Sequence, residues 1–164
     1  MSIHFFFNYR EHLVKQLKEQ YENLIKQKKE ELVLQIQLEE AECLIRDYFD
    51  VVAAELQEVL EAASNEVKLE FDSDDFIVRF KIIENYVRFI RRPTAIEVEI
   101  GRYKEDLGLV ESYIIAYIIP GEKKCHTRKV GMVHESGSFD ENSLNFFMRE
   151  AFGEIYSHEE SELV

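Results

Sequence analysis

The sequence predicts an α+β domain, and three observations carry that expectation. Apolar residues recur every three or four positions from Tyr9 to Ala63, every second position over residues 66–134, and at helical spacing again over 140–157. Helices, then strands, then a helix is the segregated order of α+β proteins. At 164 residues, one domain spanning 1–164 is expected.

The helical region is read over residues 8–63. Asn8, with Glu11 three residues on, forms a capping-box-like start, and Ser64-Asn65 is a stop. Leu13, Leu17, Tyr21 and Leu24 open the stripe. Leu32, Ile36, Cys43 and Tyr48 continue it, while Leu34, Leu38, Ala41, Ile45 and Phe49 form a second one. A helix that is apolar on two sides wants two neighbours. The strands supply one. The other is the N-terminal helix or a partner subunit, which makes Leu34, Leu38, Ile45 and Phe49 a candidate interface. A single helix of this length would run to about 80 Å at 1.5 Å per residue. Either it breaks in the polar run 26–31 and folds into a hairpin, or it stays whole and pairs with another chain. The run has no Gly or Pro to mark a turn, so the sequence leaves both open.

From Glu66 the pattern alternates. Val67, Leu69 and Phe71 make one strand, and residues 72–75 (Asp-Ser-Asp-Asp) a turn. Phe76, Val78, Phe80 and Ile82 make the second strand. A turn at Glu84-Asn85 leads into residues 86–92, and Pro93-Thr94 turns the chain into Ile96, Val98 and Ile100. Residues 101–108 read as a loop, 109–119 as a longer strand, and 124–133 as the last. Such short connections imply an antiparallel meander of five or six strands. Leu144, Phe147, Met148, Ala151, Phe152 and Ile155 give the final helix its packing face, and 158–164 reads as a frayed tail.

The two hairpin turns set a register. With Glu84-Asn85 and Pro93-Thr94 as two-residue loops, Lys81 faces Arg88, Arg88 faces Glu99 and Phe89 faces Val98. Charges then gather on the sheet face away from the apolar one. Ile77, Arg79, Lys81, Tyr86, Arg88 and Ile90 form a candidate patch there, with an interface-like mixture of apolar, aromatic and basic side chains.

The chain carries 33 acidic and 20 basic residues, a formal charge of −13, which excludes nucleic acid as the main ligand. The acid lies in the helical segments, since residues 64–135 hold 13 acids against 12 bases. No P-loop, dinucleotide fingerprint or nucleophile elbow occurs, so no catalytic or cofactor-binding residue is assigned and no cofactor is expected. His126 and His134 on one strand would stand about 26 Å apart, too far to share a metal, and none is expected. Cys43 and Cys125 read as reduced cysteines without a special role. The apolar cluster at residues 3–7 is too short for a signal peptide, and nothing reaches membrane-span length, so a cytoplasmic protein without a membrane partner is expected.

The stretch from Tyr86 to Gly101, the run Ile115-Ala-Tyr-Ile-Ile-Pro-Gly-Glu-Lys-Lys-Cys, Lys129-Val-Gly, and Phe139-Asp-Glu-Asn-Ser-Leu-Asn-Phe-Phe-Met-Arg-Glu-Ala-Phe resemble a family of small uncharacterised cytosolic proteins of Bacillus-type bacteria. The resemblance implies a bacterial cytosolic setting and supplies no activity. The expected function is a non-enzymatic interaction module, a homodimer through its N-terminal helix, with a further protein partner in reach. The alternatives are an acidic, immunity-like or nucleic-acid-mimicking inhibitor, and a small-ligand binder with its site between sheet and helices.

Overall fold

The computed structural model describes residues 8–104, 106–131 and 136–162. The chain divides into two compact units, residues 1–35 and 36–164.

The described residues of the first unit, 8–35, are helical past the cap at Asn8. α1 spans Tyr9–Gln20 and opens as expected, with the Asn8 Oδ1 accepting from the Glu11 backbone N–H at 3.2 Å. Helical hydrogen bonds pass through Tyr21, from its N–H to Leu17 and from Ile25 back to it, and lead into α2, Glu22–Glu55. The polar run 26–31 lies inside α2, so the hairpin alternative has no turn there. Its Lys, Gln and Glu are good helix formers, and Gln27 and Lys28 both bond Glu31 one turn on.

The second unit holds residues 36–55 of α2, the short α3 (Gln57–Ala62), the sheet and α4 (Glu141–Glu162). The strands are β1 (Val67–Phe71), β2 (Val78–Ile82), β3 (Asn85–Arg91), β4 (Ile96–Lys104), β5 (Gly108–Ile119), β6 (His126–Lys129) and β7 (Ser136–Ser138). They form one antiparallel meander in chain order. Seven strands stand where five or six were expected. The extra one is Ser-Gly-Ser, too short and polar to show an alternation. Residues 101–104, expected in a loop, extend β4, because they pair with the start of β5. The last expected strand is shorter than 124–133, and residues 132–135, with His134, lie outside the described residues.

One sheet face carries the core. Val78, Phe80, Val87, Phe89, Val98, Ala116 and Ile118 are buried there against α2 and α4. Phe49 of α2 packs edge-on to Phe89 and tilted to Phe80, while Phe147 and Phe152 of α4 meet Phe89 and Phe80. Asp140 caps α4 by accepting from the Ser143 N–H at 3.3 Å, and Ser143 Oγ accepts in return from the Asp140 N–H. The helix runs to Glu162, past the expected end at 157, because Ser, His and Glu without Gly or Pro do not stop it.

This packing corrects the candidate interface. Leu38, Ile45 and Phe49 are buried in the second unit along with Ala41, whereas Leu34 is exposed. Their stripe is the one the sheet covers, because it continues the 3.6 period into the aromatic core. The other stripe stays outward at Leu32, Ile36 and Cys43.

Candidate functional site: a basic cavity on the outer sheet face

The opposite face of β1–β4 bears the charged residues, and the observed register arranges them in rows. Glu70, Arg79, Arg88 and Glu99 lie directly across from one another in turn. The next row is Lys68, Lys81, Tyr86 and Gly101. The β3–β4 pairing is the expected one. The β2–β3 pairing is shifted by two residues, because the turn falls on Ile83 and Glu84 rather than on Glu84 and Asn85. Ile83 takes a φ of 57°, rare for a β-branched residue. Hydrogen bonds from the Ile83 N–H to Glu66 and from the Tyr103 N–H to Glu84 hold the turn. A slip of two keeps every side chain on its expected face. It also puts Arg79, not Lys81, opposite Arg88.

These rows floor a cavity of about 570 Å³ lined by Lys68, Glu70, Arg79, Lys81, Tyr86, Arg88, Glu99 and Tyr103. Four cations and two carboxylates give it positive charge in a chain of net charge −13. The acids lie at the two ends of their row. Arg79 Nη2 donates to Glu70 at 2.7 Å, and Arg88 Nη2 reaches Glu99 at 2.9 Å. Arg79 and Arg88 are cross-strand partners in the middle of the row, a like-charge juxtaposition that is destabilising. Each buries its Nε without a hydrogen-bond partner in the protein.

The tyrosines form the cavity's flat walls. Tyr86 is 5% exposed and donates to Glu99 Oε1 at 2.9 Å. Burial, then the adjacent Glu99, push its phenol well above the ordinary value, so it stays a donor. Its ring lies over Gly101, where a Cβ would fall 2.8 Å from the phenol oxygen and 2.3 Å from the Glu111 carbonyl. The Lys81 ammonium sits 5.0 Å from the Tyr103 ring centre, and the Arg79 guanidinium 4.9 Å from that of Phe76.

Four of the six residues of the expected patch therefore line the cavity: Arg79, Lys81, Tyr86 and Arg88. Ile77 and Ile90 do not. They are 0% and 6% exposed, so neither gives this face an open apolar surface. Lys68, Glu70 and Tyr103 were not singled out in sequence. Lys68 and Glu70 alternate visibly with Val67 and Leu69, which is a usable signal. Tyr103 lay in the stretch read as loop.

A second charged cluster ties the core elements together. Arg91 donates to both oxygens of Glu42, at 2.5 and 3.0 Å, and Arg46 bonds Asp72 at 2.5 Å. The Arg46 bond holds the Asp72 carboxyl below its usual range. Among the described residues, no three His, Cys, Asp or Glu side chains are placed to hold a metal ion, and no helix is long and apolar enough to cross a membrane.

The cysteines differ in environment. Cys43 is exposed, whereas Cys125 is 3% exposed and its thiol lies 3.4 Å from the Gln37 carbonyl. Burial, reinforced by Glu40, pushes the Cys125 thiol up to about 11. Since this exceeds the unfolded value of about 8.5, the neutral thiol's contribution to stability is whole below that pH and is lost as pH rises towards the folded value. A thiol reagent at pH 8 is expected to label Cys43 alone in the native protein and both cysteines after unfolding. Native labelling of Cys125 at the Cys43 rate would contradict the burial argument.

No protein-family model, curated protein or solved structure matches the chain.

Proposed function

We propose that the protein is a non-enzymatic binding module whose outer sheet face takes a small molecule carrying an anionic group on a flat, apolar body. The observation that carries this reading is the direct opposition of Arg79 and Arg88 on the cavity floor, each with an unpartnered buried Nε. An anion lying over the pair offsets their like charge and accepts from their exposed guanidinium N–H groups. Lys68 and Lys81 extend the positive field, and the tyrosine rings flank the body of the ligand. Both carboxylates are engaged by arginine or tyrosine, so the lining is built to hold charge rather than to move protons. The site lies on the face opposite the helices, unlike the expected small-ligand site between sheet and helices.

Phenyl phosphate supplies both chemical features and serves as the probe. Calorimetric titration is expected to show binding that weakens about tenfold or more in Arg88→Ala, since charge-assisted hydrogen bonds contribute about 1.5–3 kcal/mol each. Inorganic phosphate should bind more weakly, because it lacks the ring. Absence of heat with either probe, or equal affinity in Arg88→Ala and the parent, would refute the reading.

A further inference from the structure

Six large apolar residues of the first unit, Leu13, Val14, Leu17, Tyr21, Leu24 and Ile25, are each between 42% and 49% exposed. At 100° per residue they fall within an arc of about 120°, a one-sided apolar stripe. α1 buries no residue at all. Helices of this length draw most of their stability from packing an apolar face, so the stripe needs a cover.

The charges around the stripe say what covers it. Between Glu11 and Lys26 there are six charged residues: Glu11, Lys15, Lys18, Glu19, Glu22 and Lys26. Reversing the direction of this segment pairs Glu11 with Lys26 and Lys15 with Glu22, both of opposite sign, whereas Glu19 points away from the stripe. The same reversal sets Leu13 against Leu24 and places Leu17 beside Tyr21 (one residue off direct opposition). Glu11, Lys15, Lys18, Glu22 and Lys26 all lie along one edge of the stripe, and Gln16, Gln20 and Gln27 along the other, by the 100° rotation per residue. In an antiparallel helix pair like edges meet, so the charged edge meets itself with Glu11 against Lys26 and Lys15 against Glu22, and only Lys18 falls beside its own copy at the axis. In a parallel pair the charged edge would meet glutamines.

Net charge favours the same location. Residues 1–35 hold six bases and five acids, while 36–164 hold 14 bases and 28 acids. Two copies meet with least repulsion through the near-neutral segment.

We infer that residues 11–26 form an antiparallel, two-fold symmetric helix pair with a second copy of this chain, its axis passing between Lys18 and Glu19. Such an interface is isologous, each residue meeting its reversed counterpart. None of its residues lines the cavity on the sheet.

Light scattering after size exclusion on the full chain is expected to give twice 19.5 kDa. Leu17→Glu with Leu24→Glu should give the monomer mass, with the thermal melt of the main transition retained. Lys15→Glu should weaken association about tenfold, since each dimer then carries two repelling contacts with Glu22. Adding Glu22→Lys to Lys15→Glu should restore it. A monomer at about 100 μM protein would overturn the inference. So would a dimer that survives the leucine substitutions, or a double charge swap no tighter than Lys15→Glu alone.

Discussion

Phe49→Ala is expected to cost about 3–5 kcal/mol, the range for removing a buried aromatic ring. Phe49 is wholly buried, and its ring centre lies 5.6 Å from Phe89 and 6.1 Å from Phe80. Those two phenylalanines sit on β3 and β2, and α4 covers them with Phe147 and Phe152. The cavity left behind is therefore walled by both helices and the sheet and cannot collapse by moving one of them. Domains have only about 5–15 kcal/mol in total. A drop in melting temperature of about 10 °C is expected, given about 2–4 °C per kcal/mol at this size. Leu34→Ala, one residue from the end of the first unit and exposed, should shift it little. Equal shifts for the two would show that the sheet does not cover the stripe through Phe49.

Gly101→Ala is expected to damage both fold and site. Its Cβ would stand 2.3 Å from the Glu111 carbonyl and 2.8 Å from the Tyr86 phenol oxygen, so β5 must draw away from β4 and Tyr86 must shift as well. Overpacking of this kind costs about 1–3 kcal/mol. The functional effect should exceed the structural one, because Tyr86 walls the cavity and bonds Glu99, which in turn holds Arg88. Phenyl phosphate binding should fall about tenfold or more, while Tyr86→Phe, which keeps the ring, should cost about the value of one hydrogen bond, near 1 kcal/mol. A Gly101→Ala protein of unchanged stability and affinity would remove Tyr86 from the account.

Much of this arrangement was legible in the sequence. The change of period from helical to alternating placed every major element, and Pro93-Thr94 fixed the β3–β4 register to the residue. The β2–β3 turn was misplaced because an isoleucine in a left-handed conformation carries no turn signal. The faces were nevertheless correct, since the error was an even number of residues. That is why the sequence already groups Arg79, Lys81, Tyr86 and Arg88 on one face. Tyr103 escapes a sequence reading because residues 101–104 look like loop; they pair instead with the start of β5, and the alternation that places Glu99 and Gly101 sets Tyr103 on the same face. Alternation assigns a face and not its cover, so the burial of Ile77 and Ile90 carries no sequence signal.

The proposed anion site lies over two opposed arginines of the outer sheet face. The most direct test follows backbone amide and arginine side-chain resonances while phenyl phosphate is titrated into the full-length protein. The largest shifts are expected at the Nε groups of Arg79 and Arg88, with smaller ones at Lys68, Lys81, Tyr86 and Tyr103, and none in α4. Shifts confined to α2 and α4, or saturable binding that leaves both Nε resonances in place, would contradict it.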